Sequence, residues 1–198
     1  MIKTQVVKLK VNKTIQKHLD ALCDYRRYCW NKGLETWQLM YEAHTLNKKG
    51  NPSPNERRVR DELVANKADW QYDLSARCLQ LAVKDLANAW KNFFDKSQPD
   101  WGIPSFKSKK SPRQGFKTDR AKIVNGKLRL DCPRSISKDS WHDLSSYEVL
   151  KMSEVKVVSI FKEKGAYYAA LTYEEEPISK TKTHQKTAVD VNVGHFNY

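Results

Sequence analysis

A solitary strand at the start of the chain constrains the fold more than any other feature. Residues 2–11, IKTQVVKLKV, alternate in character: Val7, Leu9 and Val11 face one way, Lys8 and Lys10 the other. One strand cannot bury its apolar face alone. The next segments with strand character lie beyond residue 120, so strands from the two ends must meet. The economical solution is α+β: a small antiparallel barrel or sheet with a helical unit inserted after its first strand.

The insert reads as three helices. Asn12 or Thr14 caps the first, which runs to about Leu46 with Ile15, Leu19, Leu22, Trp30, Leu34, Trp37 and Tyr41 on one stripe. KKGNPSPN (48–55) is a loop by composition. A second helix is expected from about Pro54 to Lys67, with Val59, Leu63 and Val64 inward. Ser75 caps a third, whose apolar set is Leu79, Ala82, Val83, Leu86, Trp90, Phe93 and Phe94. Beyond it, Asn125-Gly126 between Ile123-Val124 and Leu128-Leu130 is a strong hairpin signal, and VKVVSIFKEKGAYYAALTYEEE reads as a second hairpin turning at Lys164-Gly165. Residues 131–150 carry no clear pattern.

The third helix gives way to GIPSFKSKKSPRQGFKTDR, read as a basic loop with aromatics threaded through it. Trp101 to Lys127 holds eight Lys/Arg and one acid, Asp119. The whole chain carries 36 Lys/Arg against 23 Asp/Glu, a formal charge of +13. An excess this large and clustered points to a polyanion, and phosphate backbone is the commonest. A membrane surface fits less well, because the basic stretch contains Pro and Gly and shows no amphipathic helical period. No apolar run has transmembrane length and none resembles a signal peptide, so a cytoplasmic location and no membrane partner are expected. The four cysteines, Cys23, Cys29, Cys78 and Cys132, include no Cys-x-x-Cys pair, so no zinc site is expected within 1–198.

Lys107, Lys109, Lys110, Arg113, Lys117 and Arg120 are the candidate phosphate contacts of the loop. Phe106 and Phe116 either stack on unpaired bases or pack beneath the sheet as anchors. Arg26, Arg27 and Lys32 line an RNA groove or form a solvated helix face. Gln80 has an amide able to pair bidentately with adenine, or it is ordinary surface. After PISKTKTHQK (177–186), read as a linker, AVDVNV is an apolar run around one carboxylate, Asp190. A carboxylate at a strand end suits Mg²⁺, a hard ion that takes oxygen ligands. It also suits a turn cap or a solvent-facing side chain.

Four stretches in this order carry a resemblance: LCDYRRYCWNKGLE, LQLAVKDLANAWKNFF, GIPSFKSKKSPRQGFKT and AVDVNVGHF. Together they resemble the front portion of TnpB, the OrfB-type transposase family of insertion sequences. Its members are RNA-guided nucleases related to type V CRISPR effectors. The resemblance implies a wedge-type antiparallel β-barrel (1–12 and 101–176) and an inserted helical recognition domain (13–100). A linker (177–186) and the first strand of a RuvC/RNase H-like nuclease domain (187–198) would follow. It implies a guide RNA derived from the element and target double-stranded DNA as partners, and Mg²⁺ as the nuclease cofactor.

By the same resemblance, Asp190 matches the first catalytic, metal-binding acid, although the family's usual Gly two residues later is Asn192 here. Gln80 matches the place where the recognition helix faces the motif next to the target; two neighbouring positions often used there are Ala76 and Arg77 here, a departure that implies a different motif preference. Thr118 to Lys122, including Arg120 and Lys122, matches a loop approaching that duplex. The further acids and the zinc ribbon of the family would lie past Tyr198. Two-metal hydrolysis needs several carboxylates, so these 198 residues are not expected to cut DNA unaided. The competing expectation is a self-sufficient RNA- or DNA-binding module, acting as a repressor or an RNA-sequestering protein.

Overall fold

The computed structural model describes residues 1–97, 100–131 and 143–176, together with the backbone of 190–192 and 195–197. Cys132, the 177–186 segment and the side chain of Asp190 lie outside the described residues.

Local signals account for the helices. Asn12 caps α1 (Lys13–Leu46), its side-chain oxygen accepting from the Ile15 N–H at 2.9 Å. Asn55 caps α2 (Glu56–Ala65) and Ser75 caps α3 (Ala76–Phe94) in the same manner. A 3₁₀ segment, Asp69–Asp73, joins α2 to α3. The helical stripes meet in a core of Leu19, Leu22, Leu34, Val59, Leu79, Val83 and Leu86, all at most 2% exposed. Burying each leucine contributes about 2 kcal/mol.

Three expected core positions lie outside it: Tyr41, Val64 and Phe94 are 49%, 46% and 57% exposed. Helix lengths explain Tyr41. At 1.5 Å per residue α1 spans about 51 Å and α3 about 28 Å, so the far end of α1 outruns its partners. Val64 and Phe94 sit in the last turns of α2 and α3, where coverage ends in the same way.

The strands are β1 (Ile2–Lys10), β2 (Arg113–Thr118), β3 (Lys122–Val124), β4 (Lys127–Arg129), β5 (Ser145–Ser146), β6 (Val157–Glu163) and β7 (Ala166–Glu174). The partner of β1 is β7, antiparallel from Ile2↔Glu174 to Lys8↔Tyr168. The main sheet has the order β2-β6-β7-β1-β5 and is open among the described residues, not a closed barrel. Its edge is extended by the β3–β4 hairpin through a bridge in which Leu128 and Leu144 exchange backbone hydrogen bonds of 2.9 and 2.7 Å. Both hairpin turns use consecutive left-handed residues: Asn125 and Gly126 at φ 50° and 71°, Lys164 and Gly165 at φ 48° and 79°. That is the type I′ geometry matching strand twist.

Arg113–Thr118 is a correction to the expected basic loop. The cations at Arg113 and Lys117 disguise a strand that pairs with β6 from Arg113↔Glu163 to Thr118↔Val158. Near the C-terminus, where one strand is expected, there are two: β8 (Asp190–Asn192) runs antiparallel to β9 (His195–Asn197).

Sheet and helices share one apolar cluster. Val7, Leu9, Phe116, Val158, Ile160, Ala169 and Leu171 continue the core begun by the helices. The packing of α1 and α3 against β2 positions the site.

Candidate nucleic-acid interface

Where α1 meets β2 and β6, the chain forms a cleft of about 530 Å³. The segment before β2 makes its rim. This rim is pinned to α1 rather than loosely tethered. Trp30 Nε1 donates to the Ser105 carbonyl at 2.9 Å. Asn31 holds both polar groups of the Lys107 backbone, accepting its N–H at 2.7 Å and donating to its carbonyl at 3.0 Å. Gln114 closes the rim from below: its amide donates to the Ser111 carbonyl at 2.8 Å and its oxygen accepts from Arg27 at 3.1 Å.

Six cations gather here: Arg26, Arg27, Lys107, Arg113 and Lys117 in the lining, with Lys109 beside them. Two carboxylates are shared among four of them. Asp85 of α3 pairs with Arg26 at 2.7 Å and Lys117 at 3.0 Å. Asp24 pairs with Arg27 at 2.8 Å and Lys109 at 3.2 Å. The other two cations lie on aromatic faces, Lys107 4.2 Å from the Trp30 centroid and Arg113 3.7 Å from that of Phe161. Positive charge is therefore in surplus. Loss of hydration and then the neighbouring Arg26 hold the Lys107 ammonium below its ordinary pKa. An incoming anion relieves that repulsion.

Phe106 and Phe116 both border the cleft, with opposite fates. Phe116 is 4% exposed and belongs to the core, while Phe106 is 59% exposed at the rim. Arg26 and Arg27 are not a solvated helix face; their side chains retain only 11% and 17% of their accessible surface. Cys23 also lines the cleft, but burial first, and Asp20 next, push its thiol up to about 12. It stays protonated and is no nucleophile.

The other expected contacts lie elsewhere. Lys110 occupies the exposed turn before β2, its N–H bound to the Ser108 hydroxyl. Lys32 pairs with Glu35 at 2.7 Å and borders a separate pocket with Tyr28 and Gln71. Arg77 and Gln80 sit in the first turns of α3. The Arg77 guanidinium is held by both oxygens of Asp119, at 2.7 Å through Nε, and donates to the Gln80 side-chain oxygen. A bidentate adenine contact by Gln80 would share that oxygen with Arg77. Asp131 accepts from the Ser75 and Thr118 hydroxyls, tying the α3 cap to the end of β2. Arg120 and Lys122 follow, Lys122 opening β3.

Arg77 holds the Asp119 carboxyl below the usual carboxylate range. Because the folded pKa is depressed, this pairing stabilises the fold above the unfolded value of about 4 and loses its effect as pH falls through the lower folded value. Both groups are partly exposed, so solvent screening keeps the contribution near 1 kcal/mol. Asp119→Asn should lower urea stability by about that much at pH 7 and by markedly less at acid pH, once the carboxyl is protonated in the folded chain. An equal loss at both pH values would contradict this account.

Among the described residues, no group of three or more His, Cys, Asp or Glu is placed to hold a metal ion, and no helix is long and apolar enough to cross a membrane. Comparison with protein-family models and with curated proteins finds no match for this chain.

Sequence reasoning missed Asp24, Asp85, Gln114, Trp30 and Phe161 as members of the site. In the sequence Asp24 and Asp85 read as ordinary helix surface, Trp30 as part of the apolar stripe of α1, Gln114 as loop and Phe161 as part of a hairpin, until α1, α3 and β6 are brought together.

Proposed function

We propose that this chain is the nucleic-acid-binding front of a TnpB-like RNA-guided DNA endonuclease, with the cleft between α1, β2 and β6 gripping the guide RNA. The cleft carries the proposal: six cations from α1, the rim and β2, with two carboxylates shared among four of them, converge on one concavity with an exposed aromatic ring at its edge. The connectivity is compatible with it, since the strand that opens the sheet is separated from its neighbour by the three helices. On this reading the sheet and the β3–β4 hairpin are the wedge unit, and α1 to α3 are the recognition unit. Arg77 and Gln80 in the first turns of α3, with Arg120 and Lys122 after β2, face the target-adjacent duplex. Asp190 is the first Mg²⁺-binding acid of the nuclease domain.

Recovery of RNA bound to the chain in cells tests the proposal. One RNA transcribed from the end of the chain's own genetic element should be enriched far above its abundance. RNA recovered merely in proportion to abundance would leave a general RNA binder, and a failure to recover any RNA would remove the grip altogether.

A further inference from the structure

We infer that the cleft takes one unpaired nucleotide of a single-stranded nucleic acid, its base laid on Phe106 and its phosphate among Lys107, Arg113 and Lys117. This deepens the proposed function and rests on its assignment of the cleft to nucleic acid. Three observations carry it.

The first is shape. A duplex is read by something convex, a helix or a two-stranded ribbon entering a groove. This surface is concave, with strand residues Gly115 and Ile160 in its lining, and about 530 Å³ in volume. Pockets of roughly 300–1,000 Å³ enclose ligands of small-molecule size, a class that includes one nucleotide.

The second is the ring. Phe106 is 59% exposed among cations. A paired base hides its π-face in the stack, whereas an unpaired base offers it to an aromatic side chain. The other phenylalanines of the lining have occupied faces: Phe116 is in the core, and Phe161 stacks on Tyr168 at 5.5 Å while Arg113 covers it.

The third is preparation. Phe106 lies between Ser105 and Lys107, whose backbones are both hydrogen-bonded to α1 side chains. The ring is thus presented from a fixed support, and less ordering entropy is lost when a base arrives.

The test measures fluorescence anisotropy of labelled 12-mers with the 198-residue chain. The probes are single-stranded RNA, single-stranded DNA of the same sequence, and the corresponding RNA and DNA duplexes. The variants are Phe106→Ala and Phe106→Tyr. The ring is exposed, so both should keep the wild-type melting temperature.

Phe106→Ala should weaken single-strand binding about tenfold, the usual worth of one base–aromatic stack. Phe106→Tyr should restore it, and duplex binding should not change. The ratio of RNA to DNA affinity then names the sugar. If Phe106→Ala leaves single-strand affinity intact, or weakens duplex binding equally, the inference fails while the cationic grip stands. If the wild-type chain binds none of the four probes, the proposed function fails with it.

Discussion

Replacing Lys107, Lys109 and Arg113 together by glutamine should weaken RNA binding on the order of 100-fold at low salt and flatten its dependence on salt. These positions separate grip from stability. Lys107 and Arg113 rest on aromatic faces, and Lys109 pairs with a half-exposed Asp24 that keeps Arg27 as a partner. Removing them strands no buried carboxylate. Arg26 and Lys117 would be poor choices, because both neutralise Asp85 inside the fold. Each phosphate contact on a single strand contributes about 0.7 to the slope of log K against log salt, so losing three should reduce its magnitude by about 2. The melting temperature should hold. An unaltered slope in the triple variant would take the cleft out of the interface.

Gly115→Ala should lower stability by about 3 kcal/mol, the upper part of the range for overpacking. An added Cβ would lie 2.6 Å from the Ile160 carbonyl oxygen and 3.0 Å from the Phe161 Cβ. The nearest obstacle is backbone held in the β2–β6 ladder, which cannot rotate aside as a long side chain would. For a chain of this size the melting temperature should fall by roughly 6–12 °C. RNA affinity should also drop, because separating β2 from β6 opens the floor of the cleft. A variant as stable as the wild type would mean that the close approach is not maintained in solution.

Elements with local signatures were legible in the sequence. Asn12 and Ser75 announce helix starts through short side chains that accept backbone hydrogen bonds, and Asn125-Gly126 announces a tight turn through its tolerance of left-handed backbone. The need for β1 to find a distant partner was legible too, but its register against β7 was not, since nothing within residues 2–10 selects Glu174 over its neighbours. The strand Arg113–Thr118 was hidden because Arg113, Lys117 and the basic residues just before them resemble a solvated loop; its burial rests on Phe116 and Thr118 alone. Residues 145–146 form too short a strand to leave a pattern. For the site, the separate cations were visible but not their convergence. Arg26 and Lys117 become neighbours only because both reach Asp85, a lone acid on α3 that looks like ordinary helix surface.

The pairing of β1 with β7 also has a consequence in time. At a synthesis rate of about 5–20 residues per second, the first strand waits roughly 10–30 s before residue 174 has been made. The helices can condense while the ribosome is still working, but the N-terminal strand stays idle with an unsatisfied edge. The strand β6, which pairs with β2 along Gly115, is also a late arrival. A nascent chain therefore holds its cations on display before Ser159, Ile160 and Phe161 have been made to wall the cleft.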